Sequence, residues 1–163
     1  MDKTTDTLNA TAKIKQGLTV TSKADDLIPV YRGTNGYMEN RIYEETGHLM
    51  SDATRRAYME TGSLDKAYKA TEPIHKDWLK IWGDENTYVQ AHGEFGTELP
   101  QAFGLDRTMM SVTTDPSVAK RFAGKDGIVY KSLVPKSQLI PQTIEGAGES
   151  EYLIKYGFGG FKK

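Results

Sequence analysis

Cysteine is missing from all 163 residues. Disulfides, thiolate nucleophiles and cysteine-based zinc sites are thereby excluded, and the absence fits a cytosolic site of action. Long apolar runs are missing too: no stretch approaches the roughly 18 residues that a membrane-spanning helix needs. The opening residues, Met1 to Asp26, are polar and carry no apolar core of a Sec-type signal peptide. Charge of one sign is also lacking. A formal net charge of −1 gives no bulk attraction to nucleic acid or to an anionic membrane. No Gly-x-Gly-x-x-Gly, Walker loop or Gly-x-Ser-x-Gly elbow occurs. The three histidines, His48, His75 and His92, show no His-x-x-x-His spacing, so no metal site is expected.

What remains is ordinary globular composition, 37% hydrophobic and 26% charged, enough for one domain with a core. Residues 1–26 are expected to form a flexible lead-in or the end of a linker from a larger parent chain, because they offer little to bury. Residues 27–163 are expected to form a single domain. Leu27 to Tyr31 is the first apolar run and predicts a strand, with Pro29 hinting at an edge or a strand start. Arg32 follows, then a turn signal over Gly33 to Gly36. Ser51 caps a predicted helix over Asp52 to Glu60, stopped by Gly62. Ser63 caps a second piece, Leu64 to Ala70, and a third runs from Pro73 to Trp82 with Gly83 as its stop.

Beyond Gly83 a short helix is expected around Thr87 to Ala91. Thr108 to Thr114 reads as a strand. Asp115-Pro116 starts a helix over Ser117 to Ala123, a cap residue followed by proline at the first helical position. Ile128 to Val134 alternates as a strand, and Pro135 to Ile140 as a turn or a single helical turn. A last strand carries Glu149 and Glu151, after which Gly157 to Lys163 is expected to trail off. Helices first and strands later predict an α+β fold.

The stretch Gly146 to Tyr152 carries the sharpest chemical signal. If the strand begins at Glu149, then Glu149 and Glu151 share a face, since residues two apart do. Like charges that close need a cation or a substrate between them; the plain alternative is a glycine loop with solvated acids. Arg32, followed by a glycine, can present its fork to a phosphate or carboxylate, or be a surface arginine after an edge strand. Ser111 and Thr113 place two hydroxyls on one strand face, which is also common strand composition. Phe122 on a short helix is more often core than a stacking platform.

The order of these pieces matters more than any one of them. A strand with Arg32-Gly33, then Ser111-Val112-Thr113 before a helix with Phe122, then Glu149-Ser150-Glu151 before a strand resembles the R-S-E class of mono-ADP-ribosyltransferases, the cholera-toxin-like and clostridial-binary-toxin-like enzymes. The resemblance spans about Ile28 to Tyr156. The Glu-x-Glu form looks like the arginine-modifying branch, where Gln-x-Glu would point to asparagine, cysteine or guanine acceptors. The chain departs from the usual Ser-Thr-Ser at Val112, which in a strand points to the opposite face.

This resemblance implies two packed, mostly antiparallel sheets with a helical N-terminal half and NAD+ bent into a cleft between the sheets, as co-substrate and without a metal. It implies that Arg32 contacts the diphosphate or nicotinamide ribose, that the Gly33 backbone pairs with the carboxamide, and that Phe122 stacks on the nicotinamide. Arg121 or Lys125 would add a phosphate contact. Ser111, helped by Thr113, would orient Glu151, which binds the ribose 2′-hydroxyl and stabilises the oxocarbenium-like transition state. Glu149 would hold the acceptor guanidinium and take its proton.

The small polar-led unit further resembles the toxin domain of bacterial polymorphic, Rhs-type effectors of type VI or contact-dependent systems. The implied biology is interbacterial competition: secretion without a Sec signal, action in the target-cell cytoplasm, an arginine modified on an essential protein, and a cognate immunity protein as partner. Nucleic acid and membrane are not expected partners. Competing expectations are an NAD glycohydrolase, an RNA-modifying transferase of the same fold, and a non-catalytic binding domain.

Overall fold

The structure is a computed structural model that describes residues 25–142 and 151–163. The chain opens with strand β1 (Leu27–Thr34) and helix α1 (Tyr37–Thr46), followed by the two-residue strand β2 (Leu49–Met50). Three longer helices come next: α2 (Asp52–Thr61), α3 (Leu64–Trp82) and α4 (Glu85–Phe95). The short α5 (Glu98–Phe103), β3 (Met109–Thr113), α6 (Pro116–Ala123) and β4 (Ile128–Pro135) lead to β5 (Ile140–Pro141), β6 (Glu151–Lys155) and β7 (Gly157–Phe158). Five strands form an antiparallel sheet in the order β4-β1-β3-β6-β5, and β2 pairs with β7. The fold is α+β.

Side-chain alternation gives the large sheet two apolar faces. Val30, Met110, Val112, Tyr130, Val134 and Ile154 pack on one side with Leu49 and Phe161. Met109 and Leu153 pack on the other against Trp78, Tyr88 and Leu99 of the helices. Helix α6 lies against β1, β4 and β3. Its close seat on β1 requires Gly33, where a Cβ would meet the Ala119 carbonyl oxygen at 1.7 Å.

Caps behave as the sequence predicts. Ser51, Ser63 and Asp115 each accept a backbone N–H in the first turn of their helix. Four expectations need correction. First, β1 runs to Thr34, so Arg32 and Gly33 lie within the strand rather than after it. Second, α3 is one helix of 19 residues with Pro73 inside it, not two pieces. The buried stripe Ala67, Thr71, His75 and Trp78 runs through the proline, and that packing outweighs the one backbone bond it removes. Third, α1 was not apparent in the sequence pattern. Fourth, Gly157 to Lys163 does not trail off: β7 pairs with β2, Phe161 is buried, and Lys131 and Lys162 exchange two backbone bonds at 2.7 and 2.8 Å. The last long strand begins at Glu151; Glu149 lies outside the described residues.

Candidate active site

β1 and β3 share a single register pair, Tyr31 with Thr113. Where their ladder stops, Arg32 enters. Its Nη1 donates to the Ser111 carbonyl at 2.8 Å and lies 3.4 Å from Ser111 Oγ. A side chain thus satisfies a strand carbonyl that the neighbouring strand does not. Nε of Arg32 donates to Glu39 Oε2 at 2.5 Å. Glu39 comes from α1 and is 8% exposed. Its other oxygen accepts from Thr34 Oγ1 at 2.7 Å, and Thr34 Oγ1 accepts from the Gly36 N–H at 3.0 Å. Burial alone would raise the Glu39 carboxyl. The Arg32 charge and the two hydrogen bonds outweigh it and hold the group below the usual glutamate value.

β3 and β6 are in full register, Met109 with Lys155 through Thr113 with Glu151. Tyr31, Thr113 and Glu151 therefore form one row across three strands, with directly opposed side chains about 5 Å apart at Cβ. Thr113 is the direct cross-strand neighbour of Glu151, while Ser111 opposes Leu153. Ser111, two residues from Thr113 on the same face, is the diagonal neighbour of Glu151. Among the described residues, Ser111 is engaged with Arg32, and the row places Thr113 beside the carboxylate.

These elements enclose a cavity of about 280 Å³ lined by Arg32, Gly33, Ser111, Thr113, Phe122 and Glu151, together with Tyr31 and Thr34 of β1 and Val118 and Ala119 of α6. Arg32, Gly33, Ser111, Thr113, Phe122 and Glu151, all expected at the site, converge there. The lining comes from the five-stranded sheet, the Asn35 that follows β1, and α6; the β2–β7 pair contributes none of it, which departs from the expected cleft between two sheets. Phe122 is 70% exposed and stands at the cavity, not in the core that is the plain alternative for a phenylalanine on a short helix. Arg121 and Lys125 do not line it.

Glu151 is half-buried. Burial pushes its carboxyl above the usual glutamate range, and the Arg32 cation pulls it back only in part. A carboxylate whose charged form is poorly solvated, beside a fixed cation and an exposed aromatic ring, suits a ligand bearing both anionic and developing cationic character.

Two site residues were missed by sequence reasoning, Glu39 and Thr34. Glu39 stands seven positions after Arg32 on the unread helix, so no local motif links the pair. The histidines serve elsewhere. His75 bonds Thr108 at 2.7 Å and Glu85 at 3.0 Å, and His48 bonds Tyr68 at 2.9 Å. His92 is buried on α4, and its imidazole is pushed down to about 4, chiefly by burial. Among the described residues no group of three or more metal-ligating side chains converges. No protein-family model, curated protein or solved structure matches the chain.

Proposed function

We propose that residues 27–163 form a single catalytic domain of the ADP-ribosyltransferase fold, a mono-ADP-ribosyltransferase that uses NAD+ to modify a protein arginine. One observation carries the proposal: Arg32, Ser111, Thr113, Phe122 and Glu151, drawn from four elements distant in sequence, line one cavity. The residues present fit such a co-substrate. Arg32 offers a fork already fixed by Glu39 and Ser111 to an anionic diphosphate. Phe122 offers a ring face to the nicotinamide, and the Gly33 backbone offers close approach. The cavity volume is near the lower bound of small-molecule sites, so the nicotinamide-ribose half belongs inside it and the rest over its mouth.

NAD+ supplies a glycosidic bond whose electron pair leaves with nicotinamide. Glu151, ionised, holds the ribose 2′-hydroxyl and faces the positive charge that develops at the anomeric carbon, the logic of glycosidase carboxylates. Ser111, helped by Thr113 and the strand register, keeps Glu151 in place. Glu149 takes the proton that the acceptor guanidinium loses as its nitrogen bonds to the anomeric carbon. No metal takes part. The biological setting that fits is a toxin domain of a larger secreted effector, acting on an essential protein in a competitor's cytoplasm and silenced in the producer by an immunity protein.

The test is incubation of the protein with labelled NAD+ and a bacterial lysate. A labelled protein band is expected, and Glu151→Ala should lower labelling by about 10³-fold, the scale of removing one transition-state contact. Nicotinamide release without a labelled protein would instead indicate a glycohydrolase. Label removed by ribonuclease would indicate an RNA acceptor. Unchanged growth inhibition by Glu151→Ala and Arg32→Ala would indicate a non-catalytic binding domain.

A further inference from the structure

The segment from Gly83 to Asp106 holds Asp84, Glu85, Glu94, Glu98 and Asp106 and no lysine or arginine. Its formal charge is −5, so the rest of the chain, at −1 overall, carries −1 − (−5) = +4; Asp106 is paired with Arg56 at 2.5 Å, and Lys80 of α3 stands before Ile81. The same region exposes large apolar side chains. Ile81 is 40% exposed, Phe95 40% and Phe103 43%. Phe95 and Phe103 gather around Trp82, whose ring stacks on Phe95 at 6.1 Å and meets Phe103 edge-on at 5.8 Å, and Ile81 precedes Trp82 in α3. The Trp82 indole N–H is covered, and no described residue accepts it. Aromatic residues that stand exposed inside a border of one charge mark protein contact surfaces.

This surface lies one helix away from the cavity. The Gln142 side chain donates to the Val89 carbonyl of α4 at 2.7 Å, and its backbone N–H donates to the Glu151 carbonyl at 3.0 Å. Gly93 leaves room for that side chain, since a Cβ there would stand 2.3 Å from Gln142 Nε2. The inner side of α4 thus backs the start of β6, which delivers Glu151.

We infer that Ile81, Phe95 and Phe103, bordered by the acids of α4 and α5, dock the acceptor protein through an apolar anchor ringed by lysine and arginine. The inference rests on the transferase reading above and adds how the acceptor is selected. Charge complementarity carries the choice of occupant: a basic surface meets the exposed Glu94 and Glu98 favourably, whereas a nucleic acid is repelled by them. It also brings an arginine-rich surface next to the carboxylate strand.

The test compares two acceptors on the same preparations of protein. With labelled NAD+, the wild type, the double variant Glu94→Lys/Glu98→Lys and the variant Phe95→Ser are each given lysate protein and, separately, free arginine methyl ester. Both glutamates are exposed, so the double variant keeps the fold. Labelling of protein is expected to fall about tenfold or more in the variants, while labelling of the small guanidine stays within about twofold. Added salt should lower protein labelling by the wild type and leave the small acceptor untouched. Variants that label protein as fast as the wild type overturn the docking surface alone, as does an equal loss toward both acceptors. A wild type that cleaves no NAD+ overturns the transferase reading and this inference with it.

Discussion

Arg32 and Arg107 are each paired with a carboxylate and are equally shielded, each side chain 22% exposed, yet the pairs do opposite things. Asp52 sits between two cations. Arg107 Nε and Nη2 both reach its Oδ2 at 3.0 Å, and Arg55 Nη2 reaches Oδ1 at 2.7 Å. A backbone bond from Ala53 to the Arg107 carbonyl runs alongside at 3.0 Å. This cluster staples the first turn of α2 to the chain entering β3, and Arg107 lines no part of the cavity. Arg32 is held by one carboxylate oxygen and one carbonyl, and no described residue accepts from its Nη2. Its residue lines the cavity. The same ion-pair chemistry makes a staple where the arginine joins two backbone segments away from the cavity, and leaves the arginine available to a ligand where its residue lines the cavity.

Three experiments would break or sharpen that contrast. The largest effect is expected from Arg32→Ala, which leaves Glu39 buried without its cation. Such a loss costs about 3–5 kcal/mol, read as a drop in urea midpoint, together with loss of NAD+ cleavage. Equal retention of both would remove Arg32 from the site. Second come the paired neutralisations. Glu39→Gln keeps the shape but loosens the fork, and should raise the KM for NAD+ several-fold with a stability loss of about 2 kcal/mol. Asp52→Asn, at a more exposed pair, should cost about 1 kcal/mol and leave KM alone. If both variants move KM alike, the two pairs do not differ in role.

The smallest effects are in pH dependence, with opposite signs at Glu39, which pairs with Arg32, and at Glu151, which lines the cavity. Glu39 has a folded pKa below its unfolded value. Its contribution to stability is present above the unfolded pKa and is lost as pH falls through the folded one. Glu39→Gln should therefore flatten the acid limb of the unfolding profile below about pH 4.5. Glu151 is shifted the other way, so its ionisation costs folding free energy as pH rises past the unfolded value. The proposed reaction uses its charged form. The acid limb of kcat/KM for NAD+ cleavage should fall above the ordinary glutamate range, and Glu151→Gln should melt slightly higher than wild type at neutral pH. An acid limb at the ordinary value would mean that Glu151 is solvated in the working enzyme.

Legibility differed by element for physical reasons. Ser51, Ser63, Asp115-Pro116 and the stop glycines were readable because caps and turns are decided within a few residues. The strand around Ser111-Val112-Thr113 was readable through its alternation, and Val112 does pack on the face away from the hydroxyls. Helix α1 was unreadable. Its run Tyr37 to Thr46 buries only Glu39 and Ile42, too few apolar positions for a periodic signal. Pro73 read as a break because local rules cannot see the partners of Thr71, His75 and Trp78. Phe122 could be placed at the site only through the resemblance, because its local sequence does not show which face of a short helix is left uncovered.

The chain's own order of residues determined most caps and stops and the longer strands, since these depend on neighbours a few positions away, and the order of the motifs around Arg32, Ser111, Thr113, Phe122 and Glu151 carried the resemblance that singled them out. Only the tertiary structure decided that β1 and β3 part after one register pair. From that parting follow the Arg32 bond to the Ser111 carbonyl, the need for Glu39 behind it and the cavity beside Glu151. Such contacts join residues up to 79 positions apart. They exist only once packing has brought distant backbone groups within hydrogen-bond reach, and no spacing along the sequence encodes that distance.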